Sequence, residues 1–210
     1  MADELILFTN PQSRGAMVHW MLEEIGCPYR LEVKQYGPDM KSAEYLAINP
    51  MGKVPAIRHG DTVVTETAAI LCYLADIFPE AKLAPPPAER GAYYRWLFFV
   101  AGCGEPALGN KAAGWTPDTP TLQVQFGYGS YERTMETVAQ LVADRRTIAA
   151  DHFTAADLYM ASFLHWGMMF GGIERRPVFE AYAQRHVGRP AALRAQEQSA
   201  KLMAAPAQPG

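Results

Sequence analysis

A proline at the head of a strand constrains this chain more than any other feature. Residues 49–70 read NPMGKVPAIRHGDTVVTETAAI. Within them 54–58 and 62–65 have the composition of two short strands, joined by His59-Gly60-Asp61, a link of hairpin length. Pro55 has no N–H to give a ladder, so it belongs at a strand start, an edge or a bulge. The N–H and C=O of Val54 are thereby left to pair outside the sheet, and a cis Val54-Pro55 bond would turn them toward an extended peptide alongside. Either isomer is compatible with the sequence. Glu66 and Thr67 follow the second strand and open a helix, because Ile70, Tyr73, Leu74 and Ile77 recur at i, i+3, i+4 and i+7. The N–H groups of a helix start attract a carboxylate, and Glu66 beside them can hold an ammonium. One end of the hairpin thus offers a clamp for peptide backbone, and the other a seat for the charged head of an amino acid.

The residues before the hairpin complete a mixed α/β sheet. ELILFT, residues 4–9, is a short apolar run ended by an Asn-Pro turn signal and reads as a buried strand. A helix is expected from about Ser13, with Met17, Met21, Leu22 and Ile25 inward and Gly26 as its stop. Residues 29–33 alternate like a second strand, Tyr36-Gly37-Pro38-Asp39 breaks the chain, and 41–47 form a short helical piece. The order β-α-β-α-β-β-α is the plan of a thioredoxin-like domain over 1–80. PEAKLAPPPA, residues 79–88, is proline-rich and aperiodic, so 81–88 is read as a stiff linker.

An all-helical domain is expected over 89–203. Tyr94, Leu97, Phe98 and Ala101 share one helical face, and Met135, Val138, Ala139 and Val142 share another. Between them 114–129, rich in Gly, Pro and Thr, reads as a loop. LYMASFLHWGMMF, residues 158–170, is apolar nearly all round, as a helix at the centre of a bundle must be. Thr154 and Asp157 before it form a capping box with Asp in place of Glu. Residues 177–185 and 190–202 read as closing helices, and 204–210 as a disordered tail.

Composition narrows the function classes. An apolar content of 49% with 20% charged residues is that of a globular protein. A net charge of −3 gives no reason to expect nucleic acid or an anionic membrane as partner. No apolar run approaches the roughly 18 residues of a membrane helix. The start, MADELILF, carries acids where a secretory signal carries bases, so the expected location is cytoplasmic. Cys27, Cys72 and Cys103 form no C-x-x-C, and the five histidines show no metal-type pairing, so no metal site is expected.

In a thioredoxin-like domain the turn after the first strand brings reactive groups to the first helix. Here it reads Asn10-Pro11-Gln12-Ser13, with no thiol for disulfide exchange. A Ser13 hydroxyl can instead donate to a thiolate carried in by a ligand. A hydrogen bond to a charged group contributes about 1.5–3 kcal/mol, enough to lower a thiol pKa by roughly one to two units. Ser13 has a second reading as a plain helix N-cap.

N-P-Q-S-R-G followed by W-M-L-E-E-I-G, the Val54-Pro55 pair and the Glu66-Thr67 pair together resemble the cytosolic glutathione transferases of the serine type, over nearly the whole chain. The resemblance implies an N-terminal thioredoxin-like domain and an all-α C-terminal domain, with glutathione as co-substrate. It implies that Ser13 stabilises the glutathione thiolate, with Thr9 and Asn10 as rivals for the sulfur. Val54-Pro55 would pair with the cysteinyl backbone, and Glu66 with Thr67 would hold the γ-glutamyl head. Arg14 would steer the anionic ligand, and Lys41 or Lys53 would meet the glycine carboxylate; Lys53 stands where many relatives carry Gln. An electrophile pocket between the domains would draw on Phe98, Glu105, Trp115, Trp166 and Phe170. The implied reaction is addition of the thiolate to an apolar electrophile by a homodimer. Two alternatives stay open: a glutathione-dependent peroxidase or disulfide reductase, and a non-catalytic binding or scaffold protein of the same fold.

Overall fold

The computed structural model describes residues 4–204; of the tail expected over 204–210, everything beyond Ala204 lies outside the described residues. The chain divides into two compact units, residues 1–81 with 189–210, and 82–188.

The first unit is built on a four-stranded sheet. In chain order its elements are β1 (Leu5–Thr9), α1 (Gly15–Ile25), β2 (Arg30–Val33), α2 (Ala43–Ile48), β3 (Ala56–His59), β4 (Thr62–Thr65) and α3 (Thr67–Ile77), with 3₁₀ turns at Asp39–Lys41 and Pro79–Ala81. The strand order is β2-β1-β3-β4. β1 runs parallel to β2 and antiparallel to β3, which pairs antiparallel with β4. All five residues of β1 are buried, since apolar side chains leave on both faces. Ile6 and Phe8 pack with Met40, Tyr45 and Ala56 on one of those faces, and Val54 and Ile48 close the edge of the cluster. Gly26 stops α1 in the left-handed conformation, φ +73°, and its N–H reaches Leu22 O.

The second unit holds α4 (Gly91–Phe99), α5 (Glu105–Ala112), α6 (Pro120–Gln125), α7 (Tyr131–Val142), α8 (Ala155–Met169) and α9 (Pro177–Val187). Among its described residues there is no strand. α8 is its axis, buried from Ala155 through Leu164. The capping box forms at its start. The Asp157 carboxylate accepts from Thr154 N–H at 2.9 Å and Thr154 Oγ1 at 2.9 Å, and also from Ile148 N–H at 2.8 Å and Tyr182 O–H at 2.8 Å.

Three departures from the sequence reading have local causes. The helix bearing Phe98 is not one regular α-helix: α4 ends at Phe99, and a π-helical turn, Val100–Gly104, which contains Ala101, carries the chain into α5. The loop over 114–129 contains α6, whose Thr119 hydroxyl accepts from Leu122 N–H. The expected linker packs as part of the second unit, with Leu83 buried and its carbonyl accepting from Ala155 N–H at 2.8 Å.

The last helix, α10 (Pro190–Ala204), corrects the expected 89–203 boundary, because it belongs to the sheet-bearing unit. It is held on α1 by polar contacts. Arg189 grips Glu24 with two bonds of 2.6 and 2.9 Å, and Arg194 donates to the Glu23 carboxylate at 2.7 Å. His19, buried in α1, faces Gln198 Oε1 at 2.9 Å and Ser199 Oγ at 3.4 Å.

Candidate functional site

Sheet pairing brings three sequence-distant segments to one edge. Phe8 pairs with Ala56, and Ala56 with Thr65. The residues just past these pairs are therefore neighbours: Thr9 with the turn to Ser13, Val54-Pro55 before β3, and Glu66-Thr67 after β4.

The turn from β1 to α1 is tied to its surroundings by Asn10. Its Nδ2 donates to Lys34 O at 2.9 Å, and its Oδ1 accepts from Gln12 N–H at 2.9 Å. The Ser13 hydroxyl donates to Asn10 O at 2.6 Å and accepts from Gly15 N–H at 3.0 Å. Ser13 is half-buried; the N-cap position of α1 falls on Arg14, which makes no side-chain cap bond, so Ser13 is not the N-cap of its second reading, although its Oγ accepts from the first N–H of the helix. Thr9 is 2% exposed, and its Oγ1 is buried without a hydrogen-bond partner. It lies where a side chain on Gly15 would begin: a Cβ there would fall 2.1 Å from Thr9 Oγ1. Arg14 is exposed beside them.

The Val54-Pro55 bond is cis, and Val54 stands outside the strand pairing, which starts at Ala56. The loop before it is built by residues the sequence reading did not single out. Tyr45 Oη and Asn49 Nδ2 both donate to Lys53 O, at 2.6 and 2.8 Å. Burial pushes the Tyr45 phenol up to about 12, so it stays a donor at neutral pH. Lys41 Nζ donates to Met51 O at 3.1 Å and Gly52 O at 3.4 Å. Gly52 has φ +58°, and a Cβ there would meet Met40 O at 2.5 Å. The Asn-Pro and Gly in NPMGK announce this turn; nothing local announces Tyr45. Lys53 itself is exposed.

Glu66 is exposed and sits at φ +68°, ψ 121°, a conformation a non-glycine residue rarely takes. Thr67 behind it is buried as the first residue of α3. The edge thus presents an unpaired backbone segment at Val54, a carboxylate at Glu66, the start of α3 and the hydroxyl of Ser13.

The five positions expected at a second substrate lie in the other unit, spread over several elements. Phe98, 55% exposed on α4, stacks obliquely on Tyr94. Trp115 meets Phe126 edge-on with centroids 4.8 Å apart. Trp166 stacks on Phe170, itself 75% exposed, at 5.6 Å. Glu105 follows the π turn, half-buried. These rings are surface pairs, not core.

The family model for the glutathione S-transferase N-terminal domain matches residues 15–77. GstA, a glutathione S-transferase of Escherichia coli O157:H7, is 29% identical over 197 residues, 88% of this chain and 93% of its own. YghU of Escherichia coli K12, a disulfide-bond oxidoreductase, is 26% identical over 88% of this chain and 68% of its own. Among solved structures, a glutathione transferase of Methylococcus capsulatus superposes with a TM-score of 0.77 at 30% identity, covering 94% of this chain and 99% of that one. Sheet order, the Val54-Pro55 edge and these end-to-end matches together make the chain a member of the glutathione S-transferase family.

Proposed function

We propose that the protein is a glutathione transferase that lowers the pKa of the glutathione thiol at the Ser13 turn and adds the thiolate to apolar electrophiles. The observation that carries this reading is the convergence of Ser13, Val54-Pro55 and Glu66-Thr67 at one sheet edge through the Phe8–Ala56–Thr65 register. Val54 receives the cysteinyl backbone, Glu66 the γ-glutamyl ammonium, and the start of α3 its carboxylate. Lys53 and Arg14 meet the remaining negative charge, and Lys41 serves through the carbonyls of Met51 and Gly52. The exposed rings of Phe98, Trp115 and Phe170, with half-buried Trp166, suit an apolar electrophile, and Glu105 is assigned to the same substrate. The enzyme works in the cytoplasm as a homodimer, so light scattering should give about twice the chain mass of 23.2 kDa.

The test is a titration of the bound thiolate's ultraviolet absorbance in wild type and Ser13→Ala. A bound-thiol pKa one to two units below that of free glutathione, raised by the substitution, is the expected result. An unshifted pKa in the wild type would leave a binding protein without an activating role. Similarity to YghU favours a second reading, glutathione-dependent disulfide reduction on the same thiolate. A panel of electrophiles, peroxides and mixed disulfides separates the two by turnover.

A further inference from the structure

We propose that Asn10 is a positioning residue for the sulfur chemistry and acts through Ser13, an inference that rests on the Ser13 reading above. Asn10 is 5% exposed, and each end of its amide is engaged, one with Lys34 O and the other with Gln12 N–H. Little of that side chain is left for a ligand to touch. Its backbone does the work. Asn10 O accepts from Ser13 Oγ at 2.6 Å and from Ser13 N at 3.0 Å, while Ser13 Oγ accepts from Gly15 N–H. Donation therefore runs from the Gly15 amide through the Ser13 hydroxyl to the Asn10 carbonyl.

A thiolate enters this chain by replacing the carbonyl as acceptor of the Ser13 proton. The thiol's own proton goes to solvent water, and no covalent bond of the protein changes. Asn10 O is not orphaned by the exchange, because the Ser13 N–H stays on it. Ser13 Oγ keeps the Gly15 N–H, which polarises the hydroxyl and strengthens its donation to the sulfur. The amide bonds to Lys34 and Gln12 set where the Asn10 carbonyl lies, and so where the Ser13 hydroxyl waits. Lys34 is itself anchored, its N–H on Thr9 O at 2.8 Å and its ammonium on Glu32 at 2.7 Å.

The experiment is a double-mutant cycle read as the pKa of bound glutathione. Asn10→Ala should raise that pKa by about one unit and lower kcat about tenfold near neutral pH, with KM for glutathione changed by no more than about twofold. Ser13→Ala should raise it at least as far, and the double variant no further than Ser13→Ala alone. Asn10→Ser is the companion variant, since its hydroxyl can still accept from Gln12 N–H while losing Lys34. It should show a smaller shift with the same non-additivity. Additive shifts would mean that Asn10 touches the sulfur itself and would overturn the proposal. So would a lowered melting temperature with the thiol pKa unmoved in both Asn10 variants. If Ser13→Ala alone leaves the pKa unmoved, the Ser13 reading fails first and takes the inference with it, a result distinct from the other two.

Discussion

Thr9 carries a buried hydroxyl with no partner, and a methyl in its place removes a desolvation cost of about 1–3 kcal/mol. Thr9→Val should therefore stabilise the protein by about 1 kcal/mol in urea unfolding, while leaving the bound-thiol pKa where it was. A raised pKa in Thr9→Val would restore Thr9 as the sulfur contact. Gly15 is the opposite case. A Cβ 2.1 Å from Thr9 Oγ1 and 3.0 Å from Ser13 Oγ cannot be accommodated without moving one of them. Gly15→Ala should cost about 1–3 kcal/mol and raise the bound-thiol pKa, measured by the same two methods. Glu66 holds φ +68°, a backbone cost of about 1–3 kcal/mol that glycine does not bear. Glu66→Gly should match or exceed the wild type in stability, after the extra unfolded-state freedom of glycine is subtracted. Its affinity for glutathione, followed by calorimetry, should fall. That combination is expected where backbone strain is kept for the sake of a ligand.

At the scale of elements, the clamp between α1 and α10 should be acid-sensitive. His19 Nε2 faces Gln198 Oε1 at 2.9 Å and Tyr29 Oη at 3.0 Å, while Tyr29 donates its own proton to Glu23 at 2.5 Å. Nε2 must therefore carry the hydrogen, and the neutral ring is already satisfied. Burial pushes the His19 pKa below 6.5, against the opposing pull of Gln198 and the Glu23 charge. The folded state thus prefers the neutral ring, and its contribution to stability is complete above the unfolded value of 6.5. It is lost as pH falls from there toward the lower folded value. Burial disfavours the Glu23 carboxylate, but bonds from Tyr29, Arg194 and Gln198 outweigh it and hold its pKa down. Its own loss therefore begins only below about 4.5. Urea midpoints should fall between pH 7.5 and 5.5 in the wild type, and fall less in His19→Gln. In the second unit, Asp157 accepts four bonds at the start of α8. Asp157→Ala would bury the Tyr182 hydroxyl and the Ile148 and Thr154 N–H groups without acceptors, at about 3 kcal/mol or more. Thr154→Ala should cost about 1 kcal/mol, which separates the cap from the network in thermal unfolding.

Over the whole molecule, much of the first unit was legible before the structure. The apolar run at 5–9, the 3.6-residue spacing from Ile70 to Ile77 and Gly26, and in the second unit the Thr154 capping box, are local signals, and each element formed where its signal stood. Ser13, Val54-Pro55 and Glu66-Thr67 were legible as motifs for the same reason. The π turn after Phe99 was not, because nothing in the residue types of Val100–Gly104 distinguishes i→i+5 from i→i+4 bonding. Nor was α6, a single capped turn and a half inside a segment whose composition is that of a loop. What the sequence determined by itself is therefore the kind of element at most places and the motifs that end β1, precede β3 and follow β4, since side-chain periodicity and capping act within a few residues. Only the tertiary structure decided that α10 returns to α1, that Asn10 is spent on Lys34, and that the Ser13 proton waits on a carbonyl. Those contacts join residues from a few to some 180 positions apart through hydrogen bonds whose donors and acceptors have no pattern along the chain, so folding had to bring them together before they could be read.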